Sequence, residues 1–233
     1  VAAVLAGLTA AVATCLSAEA DTGSGFKSPQ EVVERVKAVY ADECCFTADF
    51  NQVTVNVAMD IRDKFKGIIY VRKPRFIALE VSEPERQRVV LRGNQYAVVF
   101  PDDKHAARGV IPPEMNVESF FGFFADIEYM DKNFAISFPE RVTSRDKNLV
   151  FLRLEDPDSL RSTYRIIVGI DVDSFIVKRA IIYDALGNYN RFDLSDVTFV
   201  DDIPAERFKI DVPSAAPVPD LIKPTRPSDP KRK

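Results

Sequence analysis

The chain contains no tryptophan, one histidine, three cysteines and nine glycines among its 233 residues. Each shortage narrows the chemistry. A lone His105 leaves no second imidazole for a zinc site or a nucleophile–base pair, and no CxxC or mixed Cys/His ligand spacing occurs. Gly-rich phosphate loops are absent from the sequence. With 31 Lys+Arg against 35 Asp+Glu, the formal net charge is −4. There is thus no basic excess of the kind a general nucleic-acid binder carries. A content of 46% hydrophobic and 28% charged residues excludes disordered, collagen-like and polytopic membrane chains. What is abundant is phenylalanine. Seventeen Phe bring large apolar area without a hydrogen-bonding handle.

The remaining candidates for acid–base work read as structural. His105 follows Asp102-Asp103-Lys104 in what reads as a polar loop after a strand ending at Phe100. Acidic neighbours occur at Asp102-Asp103, Asp171 with Asp173, and Asp201-Asp202, all at expected turns, where Asp is favoured for Asx-turn hydrogen bonds. No catalytic residue, metal or cofactor is expected, and the chain does not read as an enzyme.

Val1 to Leu16 is an apolar run without a charge, shorter than the ~20 residues of a transmembrane helix. Ala18-x-Ala20 follows with the small-x-small pattern of a signal-peptidase site. Residues 1–20 therefore read as a signal peptide truncated at its start, cleaved before Asp21, and the expected location is the periplasm. A rival reading makes Val12-Ala13-Thr14-Cys15 a lipobox with Cys15 acylated, against which Thr14 is a poor fit. Cys44 and Cys45 are adjacent, and neighbours on a strand face opposite sides, so an ordinary bond between them would be strained. One buried and one exposed thiol is the expectation, with a vicinal or intermolecular disulfide as the alternative.

After a linker over 21–27, Ser28-Pro29-x-Glu31 is a capping-box start with Pro at the first helical position. Val32, Val33, Val36 and Val39 follow at helical spacing, and Tyr40 closes a helix of about 13 residues. Period two then dominates. Phe46, Ala48 and Phe50 alternate with polar neighbours, as do Phe65, Gly67, Ile69 and Val71. The same pattern recurs in Ile77, Leu79 and Val81, in Val89 and Leu91, in Phe134 to Phe138, and in Val150 to Leu154. Tyr164 to Ile170, Phe175 to Tyr183 and Tyr189 to Val200 complete it, and Phe208 to Val212 reads as a short edge strand.

Turn signals separate these runs at Arg92-Gly93-Asn94, Asp171-Val172-Asp173 and Leu186-Gly187-Asn188. Ten or so strands joined by short turns make one antiparallel sheet with a greasy and a charged face. Such a sheet curls, and its apolar face needs a cover. The N-terminal helix is one candidate. The other is Pro112 to Asp126, where a helix opened by Pro113 would place Met115, Val117, Phe120, Phe121 and Phe124 largely on one side. That segment reads either as a movable lid or as an ordinary covering helix. Residues 214–233, with repeated Pro and a Lys231-Arg232-Lys233 end, read as a mobile tail.

Ordered blocks run through the whole domain, 28–213. They are Phe46-Thr47-Ala48-Asp49-Phe50-Asn51-Gln52, then Gly67-Ile68-Ile69-Tyr70-Val71-Arg72-Lys73-Pro74, Glu83-Pro84, Gly93-Asn94-Gln95-Tyr96, Phe192 to Val197, and Ile203-Pro204. In order and spacing the chain resembles the periplasmic outer-membrane lipoprotein carriers of the LolA family. The resemblance implies an unclosed β half-barrel of about eleven strands covered by an α-helical lid. It implies a monomer whose cavity holds the acyl chains of acylated lipoproteins, loaded from an ATP-driven inner-membrane release complex and delivered to an outer-membrane receptor.

Periodicity and resemblance together place Phe50, Phe65, Ile69, Ile77, Leu79, Val81, Val89 and Leu91 on the acyl-binding face, under a lid carrying Val117, Phe120, Phe121 and Phe124. Well-known members carry an Arg before the Pro that hydrogen-bonds to the lid; Lys73 stands there and is the expected latch, a point charge in place of a planar fork. The alternatives are a periplasmic lipid or glycolipid shuttle, or an RseB-like lipid-binding sensor, on the same fold. A receptor of the LolB kind would follow from acylation of Cys15.

Overall fold

The computed structural model describes residues 25–102, 105–110, 131–132, 134–140, 146, 148–155 and 165–210. Helix α1 spans Pro29–Tyr40. Its start is built as the sequence specifies. The Glu31 N–H donates to Ser28 Oγ at 3.3 Å, and Glu31 Oε2 in turn accepts from the Lys27 N–H at 3.2 Å. Val32, Val33, Val36 and Tyr40 are buried on one side, while Glu31, Glu34 and Arg35 keep the other side polar.

Eleven strands follow. β1 is Cys45–Asn56, β2 Ile61–Arg72, β3 Phe76–Glu83, β4 Gln87–Arg92, β5 Gln95–Phe100 and β6 His105–Val110. After the segment that begins at 111 come β7 Ala135–Ser137, β8 Leu149–Glu155, β9 Arg165–Asp171, β10 Val177–Tyr183 and β11 Tyr189–Val200. They form one sheet in the order β6-β5-β4-β3-β2-β1-β11-β10-β9-β8-β7. Every neighbouring pair is antiparallel. Two meanders, β1 to β6 and β7 to β11, therefore meet along the β1–β11 seam. Among the described residues β6 and β7 have one partner each, so the sheet is unclosed.

Register breaks at Thr47/Asp49, Lys66/Gly67 and Val177/Arg179 add the local twist that curls a sheet of this width. The turns behave as their residues require. Gly187, at φ +83°, supplies the left-handed position between β10 and β11. Asp171 Oδ1 accepts from the Ser174 N–H at 2.8 Å and the Asp173 N–H at 3.2 Å, and these bonds hold its carboxyl below the usual carboxylate range.

The fold class expected from the sequence is the one observed, and three local expectations are corrected. His105 does not lie in a loop: it opens β6, opposite Phe100. Phe208 to Ile210 are not in a strand, and residues 211–212 of the expected edge strand lie outside the described residues. A 3-10 helix over Ala205–Phe208 follows Pro204 and buries Phe208 against Phe76, ring centroids 5.6 Å apart, on the outer face of β3. That contact, with Cys45, Ala78, Val90 and Ile203, forms a second small core behind the sheet, which the period-two pattern could not reveal.

The third correction concerns the cysteines. Cys44 is exposed and Cys45 buried, as expected, yet the two are disulfide-bonded. Strand alternation does not govern Cys44, because β1 begins at Cys45; Cys44 instead accepts the Lys73 N–H on its carbonyl at 2.8 Å. Among the described residues no helix is long and apolar enough to cross a membrane.

Candidate functional site

Directly opposed residues of an antiparallel pair share a face, and their registers trace one continuous apolar surface across the sheet. Ile69 opposes Leu79, which opposes Val89; Ile77 opposes Leu91; Phe50 opposes Gly67 and Leu194. The second meander continues the surface through Phe192 and Ala180 on to Val168 and Leu152. Apart from Gly67, all belong to one hydrophobic cluster or, for Val89, pack against it. Among the described residues none that is polar or charged is buried. The curled sheet is therefore a trough whose inner wall offers dispersion contact and no fixed hydrogen-bond partner over most of its area.

The structure brings together all eight residues singled out for the acyl-binding face. Phe50, Ile69, Ile77, Leu79, Val81 and Leu91 are buried in the cluster; Phe65 and Val89 are half-buried and packed against it. Val117, Phe120, Phe121 and Phe124 lie outside the described residues. The wall contributed by β8 to β11, including Leu154, Ile166 and Phe192, is as apolar and as buried. Its alternation is visible in the sequence, and the β1–β11 seam joins its apolar face to that of β2 to β4.

Helix α1 closes one end of the trough. Tyr40 stacks edge-to-face on Phe46 and Phe199, with centroids 6.2 Å and 5.3 Å apart, and its hydroxyl accepts the Val177 N–H at 3.2 Å. Burial pushes the Tyr40 phenol up to about 12, against a smaller downward pull from that N–H. At the start of the helix, Phe26 meets Phe175 at 5.9 Å, and the Arg35 guanidinium lies 5.1 Å over the Phe175 ring. The Lys73 ammonium donates to the Tyr40 carbonyl, at the negative end of α1. Lys73 thus ties the β2–β3 turn to the helix; its expected lid partner lies outside the described residues. Arg72 points to the other face, as alternation requires, and donates to the Ile203 carbonyl at 3.2 Å.

The residues that might have suggested acid–base chemistry are engaged elsewhere. Asp102 pairs with Arg86 Nε at 3.0 Å, which holds its carboxyl below the usual range, and Asp202 faces Arg72 at 3.7 Å on the outer surface. A polar group that the site expectation omitted does face the trough. Gln52, Thr54 and Asn190 lie at the end of the inner wall away from α1. Gln52 shares the parity of Phe50, and Asn190 that of Phe192, so alternation alone carried the signal.

The family described as "Outer membrane lipoprotein carrier protein LolA" matches the chain over residues 44–211. A protein from Pseudomonas entomophila named "Outer-membrane lipoprotein carrier protein" is 24% identical over 193 residues, covering 80% of this chain and 86% of its own. A protein of the same name from Chromohalobacter salexigens is 22% identical over 209 residues, covering 90% and 92%. A solved structure of a LolA superfamily protein from Nitrosomonas europaea aligns at 16% identity and a TM-score of 0.43, over 79% of this chain and 98% of that one.

Proposed function

The chain belongs to the LolA family of outer-membrane lipoprotein carrier proteins, and we propose that its trough shelters the acyl chains of a lipoprotein crossing the periplasm. The observation that carries this reading is the continuous inner wall, buried and apolar from β4 to β8, with no buried polar residue among those described. A triacylated lipoprotein has on the order of 40 methylenes, and at ~0.8 kcal/mol each its chains resist exposure to water by roughly 30 kcal/mol. Unaided escape from a membrane is negligible against that figure. A carrier has to receive the chains by direct handover, keep them dry and still release them. Walls of Phe and aliphatic side chains suit this, because dispersion contact grips chains of varied shape without a directional minimum.

In this reading Phe50, Phe65, Ile69, Ile77, Leu79, Val81, Val89 and Leu91 form the acyl-binding wall. Val117, Phe120, Phe121 and Phe124 cover it as a lid, with Lys73 as its latch. An ATP-driven inner-membrane complex loads the protein and an outer-membrane receptor unloads it. The protein works as a periplasmic monomer without a cofactor and performs no catalysis.

A release assay tests the proposal. Purified protein is added to energised spheroplasts carrying radiolabelled lipoproteins, and the soluble fraction is examined for a complex. Energy-dependent appearance of labelled lipoprotein bound to the protein is the expected result. Copurification of free lipid without lipoprotein would replace the carrier reading with a lipid shuttle or sensor.

A further inference from the structure

The polar group at the far end of the trough departs from the rest of the inner wall. Along β1, Phe50 opposes Gly67 and Leu194, and two residues further Gln52 opposes Phe65 and Phe192. Thr54 then opposes Asp63 and Asn190. Within about 7 Å, the rise of two strand residues, the wall changes from hydrocarbon to amide and hydroxyl. Gln52, Thr54 and Asn190 are each half-buried, and Gln52 is flanked by two Phe of the apolar cluster. Their side chains bond to one another. Gln52 Nε2 donates to Thr54 Oγ1 at 3.2 Å and to Asn190 Oδ1 at 3.2 Å, and the Thr54 hydroxyl donates to Asn190 Oδ1 at 2.5 Å.

Counting donors and acceptors shows what this arrangement leaves over. Both N–H groups of Gln52 and both lone pairs of Asn190 Oδ1 are used. Gln52 Oε1 and the two N–H groups of Asn190 Nδ2 have no partner among the described residues. The Gln52 amide, oriented by its two donations, and the Asn190 amide are joined through Nε2 and Oδ1, which leaves an acceptor on one and donors on the other. A neighbouring acceptor and donor are complementary to a group that offers one N–H and one C=O.

We propose that Gln52 and Asn190 form a station for a secondary amide at the junction between an acyl chain and its head group, with Thr54 holding the two in place. The proposal rests on the acyl-binding reading above and adds to it a choice of ligand. An ester offers Asn190 a carbonyl but sets an oxygen lone pair against Gln52 Oε1, and a phosphate offers acceptors only. The station therefore favours amide-linked acyl groups, as on an N-acylated polypeptide, over lipids whose chains are all ester-linked. Placing the junction here lays the chain along Phe50 toward α1 and leaves the head at the open end.

The test compares two ligands differing by one group: N-dodecanoylglycine and dodecanoyloxyacetic acid, in which the amide N–H is replaced by oxygen. Each is used below its micellar concentration to displace N-phenyl-1-naphthylamine from the full chain. The amide is expected to bind about tenfold more tightly, the consequence of one lost hydrogen bond and one unpaired acceptor. Gln52→Met should bring amide affinity down to that of the ester, and Asn190→Ala should weaken both ligands. Thermal unfolding confirms that each variant is folded. Equal affinity of the unaltered protein for the two ligands would overturn the amide station while leaving the acyl-binding reading in place, as would an amide preference that survives in Gln52→Met. Failure of both ligands to displace the probe from the unaltered protein would overturn the two readings together.

Discussion

Gly67 passes so close to Glu80 that a Cβ built on Gly67 would stand 1.9 Å from the Glu80 carbonyl oxygen. The contact lies at the register break between β2 and β3, where Lys66 opposes Glu83 but Gly67 opposes Val81. Only a residue without a side chain lets the two backbones approach there, and the approach sets the curl of the trough wall beneath Phe50. Gly67→Ala has to push the β3 backbone aside, because the obstructing atoms are main chain. It is expected to lower stability by about 3 kcal/mol. A urea melt checks this: the midpoint should fall at unchanged slope. A midpoint indistinguishable from that of the parent would show that the close approach does not hold the wall.

The end of the trough under α1 should be sensitive to alkali through Tyr40. Its phenol is raised from 10.0 to about 12 by burial, so the folded protein retains a proton that the unfolded chain has released. The stability tied to that proton is complete below pH 10 and is lost as pH rises toward 12. A shift of this size corresponds to roughly 2–3 kcal/mol. Tyr40→Phe removes the titration together with the acceptor for the Val177 N–H. The variant is expected to be less stable at neutral pH by about 1 kcal/mol and to show a shallower alkaline loss. Stability curves of the two proteins between pH 8 and 12 that fall in parallel would contradict the assignment to Tyr40.

Charge on the inner wall should act differently at two neighbouring positions. Val89 opposes Leu79 across β3 and β4, but Val89 is half-buried whereas Leu79 is only 5% exposed. Glu at Val89 reaches water and leaves the sheet folded, yet sets a carboxylate where an acyl chain would lie. Glu at Leu79 meets the full cost of burying a charge, several kcal/mol, and destabilises the fold as well. Displacement of a fluorescent fatty-chain probe together with thermal melting separates the two. Val89→Glu is expected to lose the probe at near-parental melting temperature, and retained binding in that variant would remove Val89 from the wall.

Much of this architecture is legible in the residues themselves. The Ser28, Pro29 and Glu31 signature placed the start of α1, and the alternation of Phe50, Ile69, Leu79 and Leu91 placed the trough face, because period two follows from the pleat. Contacts that are far apart in sequence were not legible. Nothing local announces that Tyr40 meets Phe199, or that the 3-10 helix at Ala205–Phe208 packs behind β3. The Cys44–Cys45 bond is only the alternative on the sequence, because strand alternation, which disfavours it, does not extend to Cys44 just outside β1. Gln52 and Asn190 had the right parity for the inner wall, but a polar residue on an apolar face reads as an exception until its partners are seen.

The most direct measurement of acyl binding is photocrosslinking on β2. Phe65 faces the trough and Ile68, 39% exposed, faces outward, so p-benzoylphenylalanine at each position samples opposite faces of one strand. In cells labelled with tritiated palmitate, the probe at position 65 should yield an adduct carrying the label, and the probe at position 68 should not. Labelled adducts of equal yield from both faces, or none from position 65 in a folded protein, would contradict the account.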